Sequence, residues 1–292
     1  HWIWDKTYLK PLLSFSGWNL FGNFGYIVGN QTSNLVINSF FGVIMNAAAG
    51  VALTVCGIVT QFASNTMTAF RPQITKLYAQ DNVKEMESLT LLALKAIMIL
   101  YTIVAIPVFL ECDYILGLWL VKVPVLSSLF CRIMLISIFF ETMCQIVTID
   151  IHASGNVKLV SAFFFFFFCL APLFVYILYS FGFSVEWTFI VIALNNAFRL
   201  LIYLFILKSY IPQIQKRTYL KTIISTTSAS IFTLFTVYYI QSQWADSFAH
   251  LITTTTLAII LQIVVFLFIV FNPNQRMQVL QFVQTHLPIS HK

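Results

Sequence analysis

The chain has 292 residues, 59% of them hydrophobic and 9% charged, with a mean hydropathy of +0.87, whereas a soluble domain carries about 25% charged residues. That composition argues against a water-soluble enzyme. Its net charge of +6 is explained by membrane topology more simply than by a nucleic-acid or acidic partner.

Apolar runs of roughly 20 residues recur, the length a helix needs to cross a hydrocarbon core of about 30 Å. They lack the polar/apolar alternation over about 10 residues that a barrel strand shows. The expected class is an all-α integral membrane protein with about eight transmembrane helices. In chain order the spans fall at Leu12–Ile37, Asn46–Phe70, Ser88–Leu110, Val125–Ile149, Val160–Phe181, Trp187–Leu207, Thr222–Ile240 and Phe248–Phe271. Of the 16 Lys and Arg residues, 12 lie on one side of this arrangement and only Lys122 lies in an opposite loop. The positive-inside rule then puts both termini in the cytoplasm. A chain that opens at His1, with neither an initiator Met nor a signal peptide, is expected to belong to something longer.

Between spans, Ile74, Leu77 and Tyr78 after Pro72 have helical spacing, as do Val279, Leu280, Val283 and Leu287 after Pro273. Both predict short helices on the cytoplasmic surface, and Tyr114, Ile115, Leu118 and Trp119 predict one outside. The run Phe163 to Phe168 presents rings all around its helix and reads as lipid-facing or packed surface without chemistry.

Polar residues are arranged in faces. On the first span Ser16, Asn19, Asn23, Asn30, Asn34 and Asn38 share an arc of about 100°, with Gly22, Gly25 and Gly29 opposite, where small residues admit a neighbouring helix. The second span aligns Asn46, Gly50, Thr54, Gly57, Gln61, Ser64, Asn65 and Thr68. The fourth stacks Ser137, Glu141, Gln145 and Thr148, and the sixth carries Thr188, Asn195, Asn196 and Arg199. The remaining spans show no comparable face. A single hydroxyl is explained by interhelical bonding worth about 0.6 kcal/mol. Six polar groups along one helix need water, and so predict a hydrated cavity.

Glu141, near mid-membrane, costs about 2.5 to 3.5 kcal/mol to insert and must be compensated. It reads as a proton or sodium site, a substrate contact, or the partner of a buried cation. Arg199, roughly two turns inside the membrane, suits an anionic headgroup. Asp150 and His152 are expected to face headgroups and water, and Arg132 and Lys95 to snorkel. Five cysteines form no CxxC pair, and no nucleotide, hydrolase or metalloprotease motif occurs. Neither a cofactor, a metal site nor catalysis is expected.

The segments LLSFSGWNLFGN from Leu12, NAAAGVALTV from Asn46, FASNTMTAFRPQITKLYAQDN from Phe62, LWLVKVP from Leu118 and ASGNVKLV from Ala153 resemble the polysaccharide export branch of the multidrug/oligosaccharidyl-lipid/polysaccharide transporter superfamily, the O-antigen or capsule repeat-unit flippases. The resemblance covers roughly the first 210 residues. It implies helices 7 to 14 of a 14-helix, MATE-like transporter of the bacterial inner membrane. Residues 1–11 would be a cytoplasmic segment, 12–210 a six-helix lobe, 211–271 two additional helices and 272–292 a cytoplasmic amphipathic tail.

The implied substrate is an undecaprenyl-diphosphate-linked oligosaccharide, with a missing N-terminal lobe, membrane lipids and glycan polymerase machinery as partners and no nucleic acid. The implied cavity residues are Asn19, Asn23, Asn30, Asn34, Thr54, Gln61, Asn65, Glu141, Gln145 and Arg199. Relatives often carry Arg in the position of Ala49, so a diphosphate contact would fall to Arg199, Lys95 or Arg132. Competing readings are a cation-coupled drug or sodium antiporter of the same fold, a membrane glycan polymerase or acyltransferase, and a non-transporting scaffold.

Overall fold

The structure, a computed structural model, describes residues 6–241, 247–273 and 275–277. The described residues are helical with no strand: α1 Lys6–Ala79, α2 Val83–Leu110, α3 Cys112–Trp119, α4 Ser127–Ala153, α5 Lys158–Ser180, α6 Trp187–Tyr210, α7 Lys216–Gln241 and α8 Phe248–Val265, which runs into a π-helical turn at Phe266–Val270. Seven of these helices are long and apolar enough to cross a membrane.

Straight, α1 would extend about 111 Å at 1.5 Å per residue, several times the membrane thickness. It breaks at Gly42, whose φ of 77° and ψ of −177° lie outside helical space and are open to glycine. Asn19 and Arg71 line one chamber, so the two arms, 6–41 and 43–79, fold back on each other. Two passes come from this one element. The expected loop between the first two spans is therefore a single residue's hinge.

The second arm also continues as helix through Pro72, which corrects the expected separate surface helix. Ile74 is completely buried, and its packing holds the segment in the bundle. The arm ends where Asp81 takes a left-handed conformation (φ 59°) and the Asn82 side chain accepts from Glu85 N, capping α2. The short α3 matches the helix expected outside. The expected tail helix after Pro273 lies almost wholly outside the described residues.

The core forms where α1 packs on α5 and α4, and α4 packs on α6. Gly25 and Gly29 allow the α1–α5 approach: a Cβ at Gly25 would stand 2.7 Å from Phe165 Cα, and one at Gly29 2.4 Å from the Phe168 carbonyl oxygen. The local reason lies in α5. Pro172 has no N–H to bond the carbonyl four residues earlier, so the Phe168 oxygen is released from the helix ladder and faces the Cα of Gly29.

α7 and α8 pack on α2. Contrary to expectation, α7 buries a polar face of Thr222, Thr226, Ser230 and Thr233. Each hydroxyl donates to its own helix's backbone, and this lets polar residues pack without water. Gln262 Nε2 of α8 donates to Thr102 Oγ1 of α2 at 2.6 Å.

Asp150 corrects a second expectation. It is fully buried, accepting from Thr90 Oγ1 at 2.6 Å and from Tyr219 OH at 2.5 Å, and so joins α4, α2 and α7 at one point. Replacing Asp150 with Leu would strand two buried hydroxyls. We expect a loss of about 1–3 kcal/mol in detergent unfolding titrations, with a smaller loss for Tyr219→Phe and faster proteolysis at residues 211–215.

Candidate functional site

The site is built on the register between α4 and α6. Asn196 Nδ2 donates to both Ser137 O (3.2 Å) and Ser137 Oγ (3.0 Å), while the Cys144 thiol donates to Asn196 O at 3.4 Å. One turn along α4 from Ser137 stands Glu141, and one turn along α6 from Asn196 stands Arg199. The clamp therefore sets the two charges face to face, and Arg199 Nη2 bonds Glu141 Oε2. Gln145 Nε2 donates to the other carboxylate oxygen at 3.2 Å.

The partners are unequally solvated: the Arg199 side chain is 0% exposed and that of Glu141 19%. Phe164, Phe168 and Tyr203 surround the guanidinium, with ring centroids at 5.0, 5.2 and 5.6 Å, a geometry in which the ring faces attract a cation. These rings correct the reading of the Phe163–Phe168 run as chemically inert. Phe163 and Phe166 do face outward, but Phe164 and Phe168 cover the charge and line the cavities. Periodicity cannot reveal this in an uninterrupted aromatic run.

Two chambers meet at the ion pair. The larger, about 840 Å³, is lined by Asn23, Asn30, Ser33, Asn34, Thr60, Gln61, Ser64, Ser137 and Gln145 with apolar Ile37, Leu53, Met134 and Ile192, and Glu141 is its single charged residue among those described. The smaller, about 220 Å³, is lined by Asn19, Asn23, Glu141, Gln145, Thr148, His152 and Arg199, and by Arg71 from the far arm of α1. Glu141 and Gln145 border both.

Of the residues expected at a cavity, Asn19, Asn23, Asn30, Asn34, Gln61, Glu141, Gln145 and Arg199 come together here. Thr54 and Asn65 do not line either chamber; both are exposed, with the Thr54 hydroxyl turned onto Gly50 O at 3.0 Å. The arm lines the chamber with Ala49, Leu53, Cys56, Gly57, Thr60, Gln61 and Ser64, so only one edge of the polar stripe meets it and Thr54 and Asn65 lie at the other edge. The stripe on α6 mostly packs. Thr188 bonds Tyr179 and Asn195 donates to Phe167 O, though Thr188 and Asn196 also border the large chamber.

Lys95 and Arg132 lie elsewhere. Lys95 Nζ donates to Gln275 Oε1 at 2.8 Å, and Arg132 pairs with Asp113 at 2.7 Å. Outside the spans, the Ser128 hydroxyl, followed by the Arg132 guanidinium, holds the Asp113 carboxyl below the usual carboxylate range. Neither cation lines either chamber. Arg71 and His152 were not expected at the site. Each sits near a span end, where a basic residue ordinarily signals topology, so a single sequence gives no sign of their convergence.

No family model matches the chain, and neither a curated protein nor a solved structure matches it. What the fold defines is the class: a multi-pass α-helical membrane protein with a polar cavity among its spans.

Proposed function

We propose that this chain forms the cavity-bearing half of a transporter that moves undecaprenyl-diphosphate-linked oligosaccharide across the bacterial inner membrane, for O-antigen, capsule or exopolysaccharide synthesis. The supporting observation is the 840 Å³ chamber, walled by amides and hydroxyls on membrane-crossing helices. Each amide offers both donors and acceptors, so such a wall exchanges water for sugar hydroxyls at little cost. The resemblance read in the sequence points the same way.

Exposed polar residues on both arms of α1, among them Asn38, Thr54, Gln61 and Asn65, suit a facing lobe across a shared aqueous path. Rocking of two lobes would give alternate access. A cation antiporter of this fold is the weaker reading, because Glu141, the one carboxylate lining the chambers among the described residues, is already paired with Arg199. No catalytic step is proposed. The cytoplasmic placement of both termini rests on the distribution of Lys and Arg.

The test is the leaflet distribution of the lipid-linked oligosaccharide in cells lacking the full-length gene. Accumulation in the cytoplasmic leaflet with loss of surface polysaccharide is expected. A normal distribution, with no second flippase present, would overturn the reading. Cysteines placed at Asn23 and Gln61 should react with a membrane-impermeant maleimide once the membrane is opened; inertness at both would argue for a dry interface instead.

A further inference from the structure

Three of the five cysteines meet at one point, although they stand far apart in the sequence. Cys56 comes from the second arm of α1, Cys112 opens α3, and Cys131 lies near the start of α4. The Cys56 thiol stands 3.9 Å from Cys131 Sγ and donates to Cys131 O at 3.7 Å. The Cys112 thiol is within hydrogen-bonding reach of Cys131 from α3. All three are buried, and a single buried cysteine acts as a small hydrophobe. Cys56 differs because it also lines the 840 Å³ chamber, so one sulfur of the cluster borders a space that solutes can enter. Cys112 touches Cys131 but lines neither chamber.

From this convergence we infer that Cys56 and Cys131 are an oxidisable pair, a modification site for small disulfides that enter through the large chamber, and that the bond they form ties the second arm of α1 to α4. The site requires the chamber, whatever its cargo, and so stands apart from the transport reading. The Cys56 thiolate attacks one sulfur of the incoming disulfide; that S–S bond breaks, the first reagent thiolate leaves with the proton given up by Cys56, and Cys56 holds a mixed disulfide. Cys131 then attacks the Cys56 sulfur and expels the second reagent thiolate, which takes the proton of Cys131. Two protein thiols are oxidised to one disulfide, and the reagent is reduced to two thiols. Contact between the two sulfurs makes the second step faster than capture of another reagent molecule, and closing it requires roughly 2 Å of approach to a bond length of about 2.05 Å.

The bond would join residues 75 positions apart in the chamber wall, where Leu53, Thr60 and Gln61 of α1 and Met134, Ser137 and Glu141 of α4 line the same space. Two helices that pack by side-chain contact would then be fixed in relative height. On the orientation set by Lys and Arg, the starts of α3 and α4 lie at the outer face, the side on which disulfides persist.

The test is reaction of the whole chain, held in phosphatidylcholine nanodiscs, with excess dipyridyl disulfide, followed by acid quenching, non-reducing digestion and mass spectrometry. A linked Cys56–Cys131 peptide pair is expected in most molecules, with the thermal midpoint of the chain raised by several degrees and returned by dithiothreitol. Cys112→Ala should leave the link in place. Cys56→Ala should leave Cys131 a free thiol, because the sulfur that meets the reagent is gone. Recovery of Cys56 and Cys131 as free thiols after prolonged exposure, or of a pyridyl adduct on Cys56 with Cys131 unreacted, would overturn the inference. A Cys112–Cys131 link in the unaltered chain, in place of the expected one, would overturn it as well, because the reagent would then have entered at the outer surface. These outcomes are all read on the unaltered chain, so a variant that fails to fold does not obscure them.

Discussion

Glu141→Ala should lower the unfolding free energy by about 3–5 kcal/mol, measured by titrating the purified chain from mild detergent into dodecyl sulfate. The loss comes less from the attraction given up than from the guanidinium left behind. Arg199 is fully buried, and without Glu141 it keeps only three aromatic faces and a weak sulfur acceptor around it. The opposite change, Arg199→Ala, should cost less, because Glu141 is 19% exposed and borders both chambers.

The double substitution Glu141→Gln with Arg199→Met should recover most of the stability, as replacement of a buried pair by neutral groups of similar volume often does. A cycle over the two sites isolates their coupling. Near-additive losses, with no recovery in the double variant, would show that the two charges are held independently. Transport separates from stability in the same set. On the transport reading, the double variant should fold and yet fail to move lipid-linked glycan, because the ion pair where the two chambers meet is gone.

The second large effect is expected at Gly29. A valine there would drive its Cβ into the Phe168 carbonyl, 2.4 Å away, and the obstacle is backbone that cannot rotate aside. α1 must then lift from α5, at a cost of about 1–3 kcal/mol. The damage should reach the site, because Phe168 is also one of the rings over Arg199. Gly17→Ala and Gly57→Ala, with nothing within 4 Å of the added carbon, are the controls and should behave as the parent in thermal unfolding followed by tryptophan fluorescence. Equal stability of Gly29→Val and these controls would mean that the two helices are not in contact at this point.

Much of the architecture was legible in order along the chain. Hydropathy over about 20 residues placed each expected span on a helix or an arm of α1, although several helices run on past the apolar stretch, because the bilayer acts on each segment separately. The glycines at 22, 25 and 29 marked a packing face, and the amides at 23, 30 and 34 marked the wet one, through a periodicity of 100° that is equally local. The hinge at Gly42 was less visible. Its positive φ belongs to one residue in a sequence that otherwise continues as helix on both sides.

Composition and periodicity therefore determined the membrane setting, the spans and which helix faces are polar. Tertiary structure decided which polar groups meet. Glu141 and Arg199 are separated by 58 positions, and either one alone could have been a site, a snorkelling charge or a pair. The Asn196–Ser137 clamp and the close contact of Gly29 with Phe168 set the helix registers that bring them together beneath aromatic rings. Asp150 and Arg71 make the same point in opposite directions: one was expected in water and is sealed among three helices, the other was expected to mark a span end and lines a chamber. A helix's own sequence sets the angle at which a side chain leaves its axis. What lies opposite depends on the rotation and height of a neighbour, which are properties of the pair.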